Sequence, residues 1–168
     1  MRGIVMTGAI AAMVAVATPA AADWEYLARE GGSAQAMVQA GGASLVVACG
    51  NGSLVAYYEF PKAELAEQLK GVERPFVQFQ LDQDASGNGK IFSFSNTLID
   101  WGETMGIGGG NKGAHDLANW FSRAKRKITA SLATVNPGTS QQYSIYVAKE
   151  FTAAGSTSAI NKVKAGCK

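Results

Sequence analysis

Residues 45–60, LVVACGNGSLVAYYEF, are the stretch that most strongly constrains the fold. Two runs rich in valine and aromatic residues flank the dipeptide Asn51-Gly52. Asn-Gly favours the two-residue type I′ turn, because both central residues of that turn need a positive φ. The stretch therefore predicts a tight antiparallel β-hairpin. Tyr57 and Tyr58 are neighbours on its second strand, so they point to opposite faces and one of them is expected to reach solvent.

Short segments of the same kind lie on both sides of this hairpin. Before it, glycine pairs separate segments at 24–29, 34–39 and 44–49, so residues 24–60 are predicted to form a four-strand meander. After it, four more strands are predicted at 75–82, 90–95, 128–135 and 142–149. Strands and helices do not alternate regularly, so the strands are predicted to pair antiparallel.

Two helices are predicted beside these strands. Residues 114–125 carry one apolar face at helical spacing, formed by Ala114, Leu117, Ala118, Phe121 and Ala124. Ser156 is predicted to cap a C-terminal helix at 157–166, in which Ile160 and Val163 face the core.

The expected fold is mostly β with two helices (α+β), an antiparallel β-sandwich or strongly curved sheet of about seven or eight strands with the helices packed on it. A short helix or turn is also predicted at 61–71. The basic run 123–127 is predicted to lie at the end of the first helix, where cations complement the helix dipole.

Residues 104–113, TMGIGGGNKG, contain five glycines and are predicted to form a mobile loop. A dinucleotide site is disfavoured here, because no parallel βαβ unit surrounds the glycines and no acidic residue follows at the required distance. Trp101 and Trp120 flank the segment, and together with Lys112 they form a candidate binding surface. Packing of the two tryptophans in the core under the loop is the alternative interpretation.

The first 22 residues have the organisation of a secretory signal peptide. One positive charge, Arg2, precedes fifteen small or apolar residues, and residues 20–22 are the small side chains that a signal peptidase requires. Such a run is too short to span a bilayer, which takes about 20 residues. We expect cleavage after Ala22, a periplasmic or secreted location and one globular domain at 23–168.

The charge balance limits the expected partners. Removing Arg2 from the fifteen Lys and Arg residues leaves fourteen basic against thirteen acidic residues. This balance lacks the basic excess of a nucleic-acid-binding protein. No segment after the leader is apolar enough to span a membrane. An envelope protein or a small ligand is therefore the expected partner.

The mature chain contains two cysteines, Cys49 and Cys167. An exported protein meets an oxidising compartment, so the pair is expected to form a disulfide. Reactive-thiol chemistry is disfavoured, because there is no Cys-x-x-Cys and no histidine near either cysteine. The bridge is predicted to be structural.

Residues 81–92, LDQDASGNGKIF, raise the question of a metal site. Oxygen-bearing residues recur at every second position and precede a glycine, in the order Asp82, Asp84, Ser86 and Gly87. This matches the first half of a calcium loop, so a weak calcium-binding module over 82–93 is one alternative. The twelfth position is Ser93 instead of glutamate. A β-hairpin loop that needs no cofactor is the favoured interpretation, because Asp and Ser cap turn amides and glycine accepts a positive φ.

The sequence offers few groups for catalysis. Its single histidine, His115, adjoins Asp116 near the start of a predicted helix, where both are expected to be exposed. No paired acidic motif accompanies the histidine, and there is no G-x-S-x-G nucleophile elbow. A hydrolase using His115 is an alternative, but a protein without enzymatic activity is expected.

Several short pieces of the chain resemble small exported proteobacterial proteins of the VasI type, an accessory of type VI secretion, and of the invasion-associated locus B type. The pieces are Trp24, LVVACGNGSLVAY at 45–57, VQFQLD at 77–82 and YSIYVAKEFTAAGSTSAINKVKAGC at 143–167. Gln80 stands where such proteins often carry an arginine. The resemblance implies a β-rich envelope domain with a bridge between its first and last cysteines, without an enzyme activity or a known ligand. We therefore expect a non-catalytic periplasmic or secreted binding or accessory protein.

Overall fold

Ten β-strands and two α-helices make up the described part of the chain. The computed structural model describes residues 23–28, 33–64, 75–82, 89–95, 98–135 and 143–167. The strands are β1 (Glu25–Ala28), β2 (Ala34–Ala40), β3 (Ala43–Gly50), β4 (Ser53–Pro61), β5 (Pro75–Leu81), β6 (Lys90–Ser95), β7 (Ile99–Asp100), β8 (Thr104–Gly110), β9 (Lys127–Val135) and β10 (Tyr143–Thr152). The helices are α1 (Asn111–Phe121) and α2 (Ser156–Gly166). The predicted leader at 1–22 lies outside the described residues.

The first four strands form the predicted meander. They pair antiparallel in chain order, and β8 and β7 extend them into a six-stranded sheet with the order β1-β2-β3-β4-β8-β7. At the turn between β3 and β4, Asn51 and Gly52 have φ of 51° and 70°. Both central residues thus have the positive φ of a type I′ turn, which confirms the predicted hairpin.

A second, four-stranded sheet has the order β10-β9-β5-β6. β5 and β6 form a hairpin in which Leu81 lies opposite Lys90, and β9 pairs with β10 across a bulge near Ile145. All strand pairs in both sheets are antiparallel, so the predicted mostly β fold with two helices is confirmed. The strands exceed the expected seven or eight because the structure adds β7 and β8.

The inner faces of the two sheets and of α1 share one hydrophobic core. The ring of Phe121, at the end of α1, meets Phe79 of the four-stranded sheet edge to face, with centroids 4.9 Å apart. Tyr58 of the six-stranded sheet contacts Phe151 of the four-stranded sheet at 6.1 Å between centroids. The apolar residues predicted for the first helix are buried in this core: Ala114, Leu117, Ala118 and Phe121 in α1, and Ala124 just after it. The sheets are therefore layered as the predicted β-sandwich requires.

The glycine-rich segment 104–113 is not the predicted mobile loop. Residues Thr104–Gly110 form β8, which pairs with β4 along its whole length, and the remaining residues begin α1. Glycine lowers the intrinsic preference for a strand, but pairing with a neighbouring strand overrides that preference. The partner strand, β4, is distant in sequence, so local composition could not reveal it.

The first helix ends earlier than predicted. α1 covers Asn111–Phe121 instead of 114–125, and Ser122 is its C-cap. The basic run 123–127 begins directly after this C-cap and continues into the first residue of β9. Of the helix or turn predicted at 61–71, the described part is a 3-10 helix at Lys62–Glu64, and residues 65–74 lie outside the described ranges.

The C-terminal helix begins at Ser156, and Gly155 is its N-cap in place of the predicted serine. Gly155 has φ of 78°, and a Cβ there would lie 3.2 Å from the carbonyl oxygen of Trp24. The close approach of the Trp24 backbone thus favours glycine at the cap, and Ser156 is buried inside the helix. Ile160 and Val163 face the core as predicted.

The predicted disulfide between Cys49 and Cys167 is present. The two Cα atoms are 5.6 Å apart, although the residues are separated by 118 positions in the chain. The bridge ties the end of α2 to β3, and α2 also packs on β1 and β2. Within the described ranges, no helix combines the length and the apolarity needed to cross a membrane.

Candidate binding face

The outer face of the six-stranded sheet presents apolar and aromatic side chains to solvent. Burial alternates along β4, because its even-numbered residues point to the core and Val55, Tyr57 and Glu59 point outward. The strand register sets the same outward direction for one residue in two on the neighbouring strands. We call this surface the aromatic face, and its apolar members are Leu27, Met37, Val46, Val55, Tyr57, Ile99 and Trp101.

The side chains of the aromatic face pack against one another. Met37, Val46 and Tyr57 lie side by side on adjacent strands. Val46 is only 2% exposed although it is on the solvent side of the sheet.

Trp101 is the most prominent side chain of the aromatic face. Its six-membered ring covers Gly106 of β8, where a Cβ would lie 2.2 Å from ring atom Cζ3. The indole also contacts the ring of Tyr57, with centroids 5.3 Å apart and a 59° angle between the planes. Trp101 is nevertheless 45% exposed. Only glycine at position 106 leaves room for the indole at this height above the sheet.

Hydrogen bonds hold the turn that carries Trp101. The Trp101 N–H donates to the carbonyl of Thr104 at 2.9 Å, and the N–H of Gly102 donates to Asp100 Oδ1 at 2.9 Å. Lys62 pairs with the other carboxylate oxygen of Asp100. The hydrogen bond from Lys62 and then that from Gly102 lower the pKa of Asp100, so its carboxylate stays charged and keeps the turn tied to the sheet.

The charges of the aromatic face are acidic. Its outward positions in the described residues include Glu25 and Glu59 and no lysine or arginine. Glu59 lies opposite Gly106, the residue that Trp101 covers. Its Oε1 accepts a 2.7 Å hydrogen bond from the hydroxyl of Thr104. A carboxylate is therefore held beside the exposed indole.

The outer face of the four-stranded sheet differs in character. Polar residues lie opposite one another across its strands, with Gln78 against Ser131 and Gln80 against Thr129. An ion pair, Lys127 Nζ to Glu150 Oε2 at 2.6 Å, crosses the same surface. Ile91 and Ile145 are exposed on this sheet, but on β6 and β10, its two edge strands. Phe76 and Ile145, both opposite Ala133, also lie on this face, so it is mixed polar and apolar.

Asp82, one of the predicted calcium ligands, has a structural role. Its Oδ1 accepts hydrogen bonds from the backbone N–H groups of Lys125, Arg126 and Lys127 at 3.0, 2.7 and 3.2 Å. The Arg126 guanidinium donates to the Asp82 carbonyl at 2.9 Å. Asp84 and Ser86 lie outside the described residues, and the described ones contain no group of three or more His, Cys, Asp or Glu that could hold a metal.

The structure does not bring Trp101, Lys112 and Trp120 together at one site. Trp120 packs against Phe92 of the four-stranded sheet at 5.3 Å between ring centroids, which matches the core-packing alternative. Lys112 is exposed in the first turn of α1, and His115 is exposed one turn later. Sequence reasoning missed the pairing of Trp101 with Tyr57. The sequence signal for it was glycine at every second position, Gly106, Gly108 and Gly110, which in a strand leaves one face without side chains.

The described residues thus form a β-rich, disulfide-bonded fold with exposed apolar side chains on the outer face of its six-stranded sheet. The chain matches no protein-family model, no curated protein and no solved structure at a significant level.

Proposed function

We propose that the protein is an exported, non-catalytic binding protein that contacts an envelope partner through the aromatic face. The Cys49–Cys167 disulfide supports the location, since such bridges form and persist in the periplasm and outside the cell. The resemblance of its short motifs to exported envelope proteins of the VasI and invasion-associated locus B types points the same way.

The exposed indole of Trp101 is the observation that carries this proposal. A contiguous exposed apolar patch on a soluble domain marks an interaction surface, and Trp and Tyr are enriched in such surfaces. Trp101 is held by its turn and by contacts with Gly106 and Tyr57. A side chain that is already ordered loses little conformational entropy when a partner covers it.

Quantitative affinity capture tests the proposal. The oxidised protein is immobilised and incubated with envelope extract, and retained proteins are measured by mass spectrometry for the wild type, Trp101→Ser and Ile91→Ser. Ile91 is 54% exposed on the other sheet and is therefore the matched control. We expect at least one abundant partner to be reduced at least about tenfold by Trp101→Ser, because truncating a hot-spot anchor costs about 2 kcal/mol or more and about 1.4 kcal/mol is a factor of ten.

The Ile91→Ser variant is expected to retain that partner at the wild-type level. Equal retention by all three proteins, at equal thermal stability, would show that the aromatic face is not the contact surface. Loss of the partner with Ile91→Ser alone would assign the contact to the four-stranded sheet instead.

A further inference from the structure

The four-stranded sheet ends at β6. In the part of the chain that the structure describes, β6 pairs with β5 alone, at the end of the order β10-β9-β5-β6. Lys90, Ile91 and Ser93 of this strand are exposed, Ile91 at 54%. An edge strand presents a row of N–H and C=O groups that a further strand can pair with. β6 thus offers a place for an additional strand.

The other edge strands of the described sheets carry features that disfavour such pairing. β1 and β7 have only four and two residues, and β10 contains the bulge near Ile145. Lys162 of α2 also lies over the ring of Tyr26 in β1, at 5.5 Å from its centroid. Short strands, bulges and lysines are the devices by which sheets avoid edge-to-edge association. β6 has six residues in unbroken register with β5 and a single charged residue, Lys90 at its start.

A second copy of the chain can supply the additional strand through its own β6, the least protected of the four described edges. A two-fold axis, the commonest symmetry of protein dimers, brings identical edge strands together antiparallel. Residues directly opposite each other then share a face of the sheet. Ile91 and Ser93 lie opposite outward residues of β5, so in β6 the odd positions face outward. Faces therefore match when the axis passes through a residue, either Phe92 or Ser93, and not between two residues.

Lys90 distinguishes these two registers. It lies opposite Leu81, whose side chain is buried on the core side of the sheet. An axis at Phe92 would draw Lys90 into the ladder on that side, and removing an ammonium group from water is costly. An axis at Ser93 pairs residues 91–95 and leaves Lys90 beyond the ladder. The two Lys90 residues are then six positions apart, about 20 Å along the strands, where salt screens their repulsion.

We propose that β6 pairs antiparallel with β6 of a second copy around Ser93, which joins two four-stranded sheets into one sheet of eight strands. The ladder hydrogen bonds satisfy the backbone groups of both edges, and no like charges lie opposite each other. The proposal goes beyond the proposed function and does not depend on it, because the aromatic face lies on the other sheet. A dimer of this kind presents two aromatic faces, both accessible.

Sedimentation velocity of the oxidised full chain measures the association. We expect the wild type to convert from monomer to dimer as the protein concentration rises. Ser93→Lys sets two ammonium groups opposite each other at the axis and should weaken the dimer on the order of threefold or more, since like charges directly opposite destabilise a strand pair. Ser93→Glu should have a similar effect. An equimolar mixture of the two variants should restore association, because opposite charges then meet at the axis.

Ser53→Lys is the matched control. Ser53 is an exposed serine at the start of β4, in the other sheet, and its replacement adds the same charge. It should leave the dissociation constant of the dimer unchanged. Native-like dispersion of the amide spectrum verifies that each variant is folded.

Cross-linking tests the register. At the axis, the Cα atoms of the two Ser93 residues are expected about 4.5–5.5 Å apart, within the range that a disulfide spans. Ser93→Cys should therefore form a covalent dimer under mild oxidation, with peptide mapping that joins the two copies at position 93 and leaves Cys49–Cys167 intact. Ile91→Cys is the control, because its two copies lie four positions apart, about 14 Å along the strands, and should not be joined.

A chain that stays monomeric at every concentration would overturn the proposal, as would a dimer that Ser93→Lys and Ser53→Lys weaken equally. Cross-linking of Ile91→Cys as readily as Ser93→Cys would do the same. Protection of the β6 amides from hydrogen exchange by an envelope protein bound to a monomer would assign this edge to a foreign strand and also overturn it. The capture experiment is separate, since the loss of a partner with Trp101→Ser bears on the proposed function alone.

Discussion

At the scale of single residues, Asp82 shows how one carboxylate connects distant parts of the chain. It follows β5 at φ of 54° and accepts hydrogen bonds from three successive backbone N–H groups at 125–127. Successive N–H groups of a turn form a concave anion site, and here the anion is a side chain of the same protein. The β5–β6 hairpin is thereby fastened to the start of β9.

We expect Asp82→Asn to lower the free energy of unfolding at pH 7 by roughly 1.5–3 kcal/mol, the range for hydrogen bonds to a charged group. Asparagine tolerates the positive φ, so the loss reports the carboxylate charge and not backbone strain. Urea unfolding measures the change. Asp116→Asn, an exposed aspartate on α1, is the control and should change stability by less than about 0.5 kcal/mol. Equal losses in the two variants would contradict the proposed role of Asp82.

Because of the Asp82 carboxylate, we expect the free energy of unfolding to fall at acid pH. Burial by itself raises the pKa of Asp82, but the hydrogen bonds from Arg126, Lys125 and Lys127 together outweigh it and hold the pKa below its ordinary value of 3.8. The stabilisation is therefore complete above pH 3.8 and is lost as the pH falls through the lower folded-state pKa. Between pH 7 and pH 2, the difference in unfolding free energy between wild type and Asp82→Asn should shrink. A difference that stays constant over this range would refute the linkage.

At the scale of elements, β8 shows how a strand with few side chains is held in a sheet. Its glycines lie where large neighbours need the room, since Gly106 is covered by Trp101 and Gly108 lies against Tyr57. A Cβ at Gly108 would be 2.4 Å from the Tyr57 Cβ and 2.5 Å from the Ala56 carbonyl oxygen. Neither atom is the end of a flexible side chain, so the clash has no easy relief.

Gly108→Ala is therefore expected to destabilise the protein by about 1–3 kcal/mol, the typical cost of overpacking. Gly50→Ala, in β3, is the matched control, because no heavy atom lies within 4 Å of its Cβ position. Its effect should stay within about 0.5 kcal/mol. Guanidinium unfolding of both variants measures the difference, and similar midpoints for the two would show that β8 does not need glycine beside Tyr57.

At the scale of the whole molecule, the two ends of the described chain are fastened at the two ends of α2. The backbone N–H of Trp24 donates to the carbonyl of Ala154 and its indole N–H to that of Thr152, both at 3.0 Å. These contacts attach the start of the domain to the junction between β10 and α2. The Cys49–Cys167 bridge attaches the far end of α2 to β3. Helix α2 is thus held at both ends against the six-stranded sheet.

Replacing both cysteines by alanine should lower the free energy of unfolding by about 2–5 kcal/mol, since the bridge closes a long loop in the unfolded chain. Denaturant unfolding of the oxidised protein and of the double variant measures this loss. A reducing agent should shift the midpoint of the wild type and leave that of the double variant unchanged. Unfolding midpoints that coincide without reductant would show that the bridge contributes nothing to stability.

Most strands could be predicted from local pattern. Alternating burial in β4 and β5 follows the alternating apolar residues of the sequence, and the Asn51-Gly52 turn follows from the backbone needs of its two residues. The disulfide was predictable because the sequence contains two cysteines, which allow only one pairing. Which of Tyr57 and Tyr58 is exposed could not be predicted. Alternation along the strand places them on opposite faces but does not show which face the core covers.

The candidate binding face depended on contacts that no local pattern contains. Trp101 contacts Tyr57 only because β8 pairs with β4. Without knowledge of that partner strand, the glycines of β8 predict a loop. Asp82 looked like half of a calcium loop, and its actual partners are backbone amides 43 to 45 residues away. The spacing of apolar residues and the preferences of turn residues depend on neighbours in the sequence. They therefore determined the strands and, together with the two cysteines, a mostly β fold with one disulfide. The surface depended on which strands lie side by side, and that is decided by the free energy of burying the whole core.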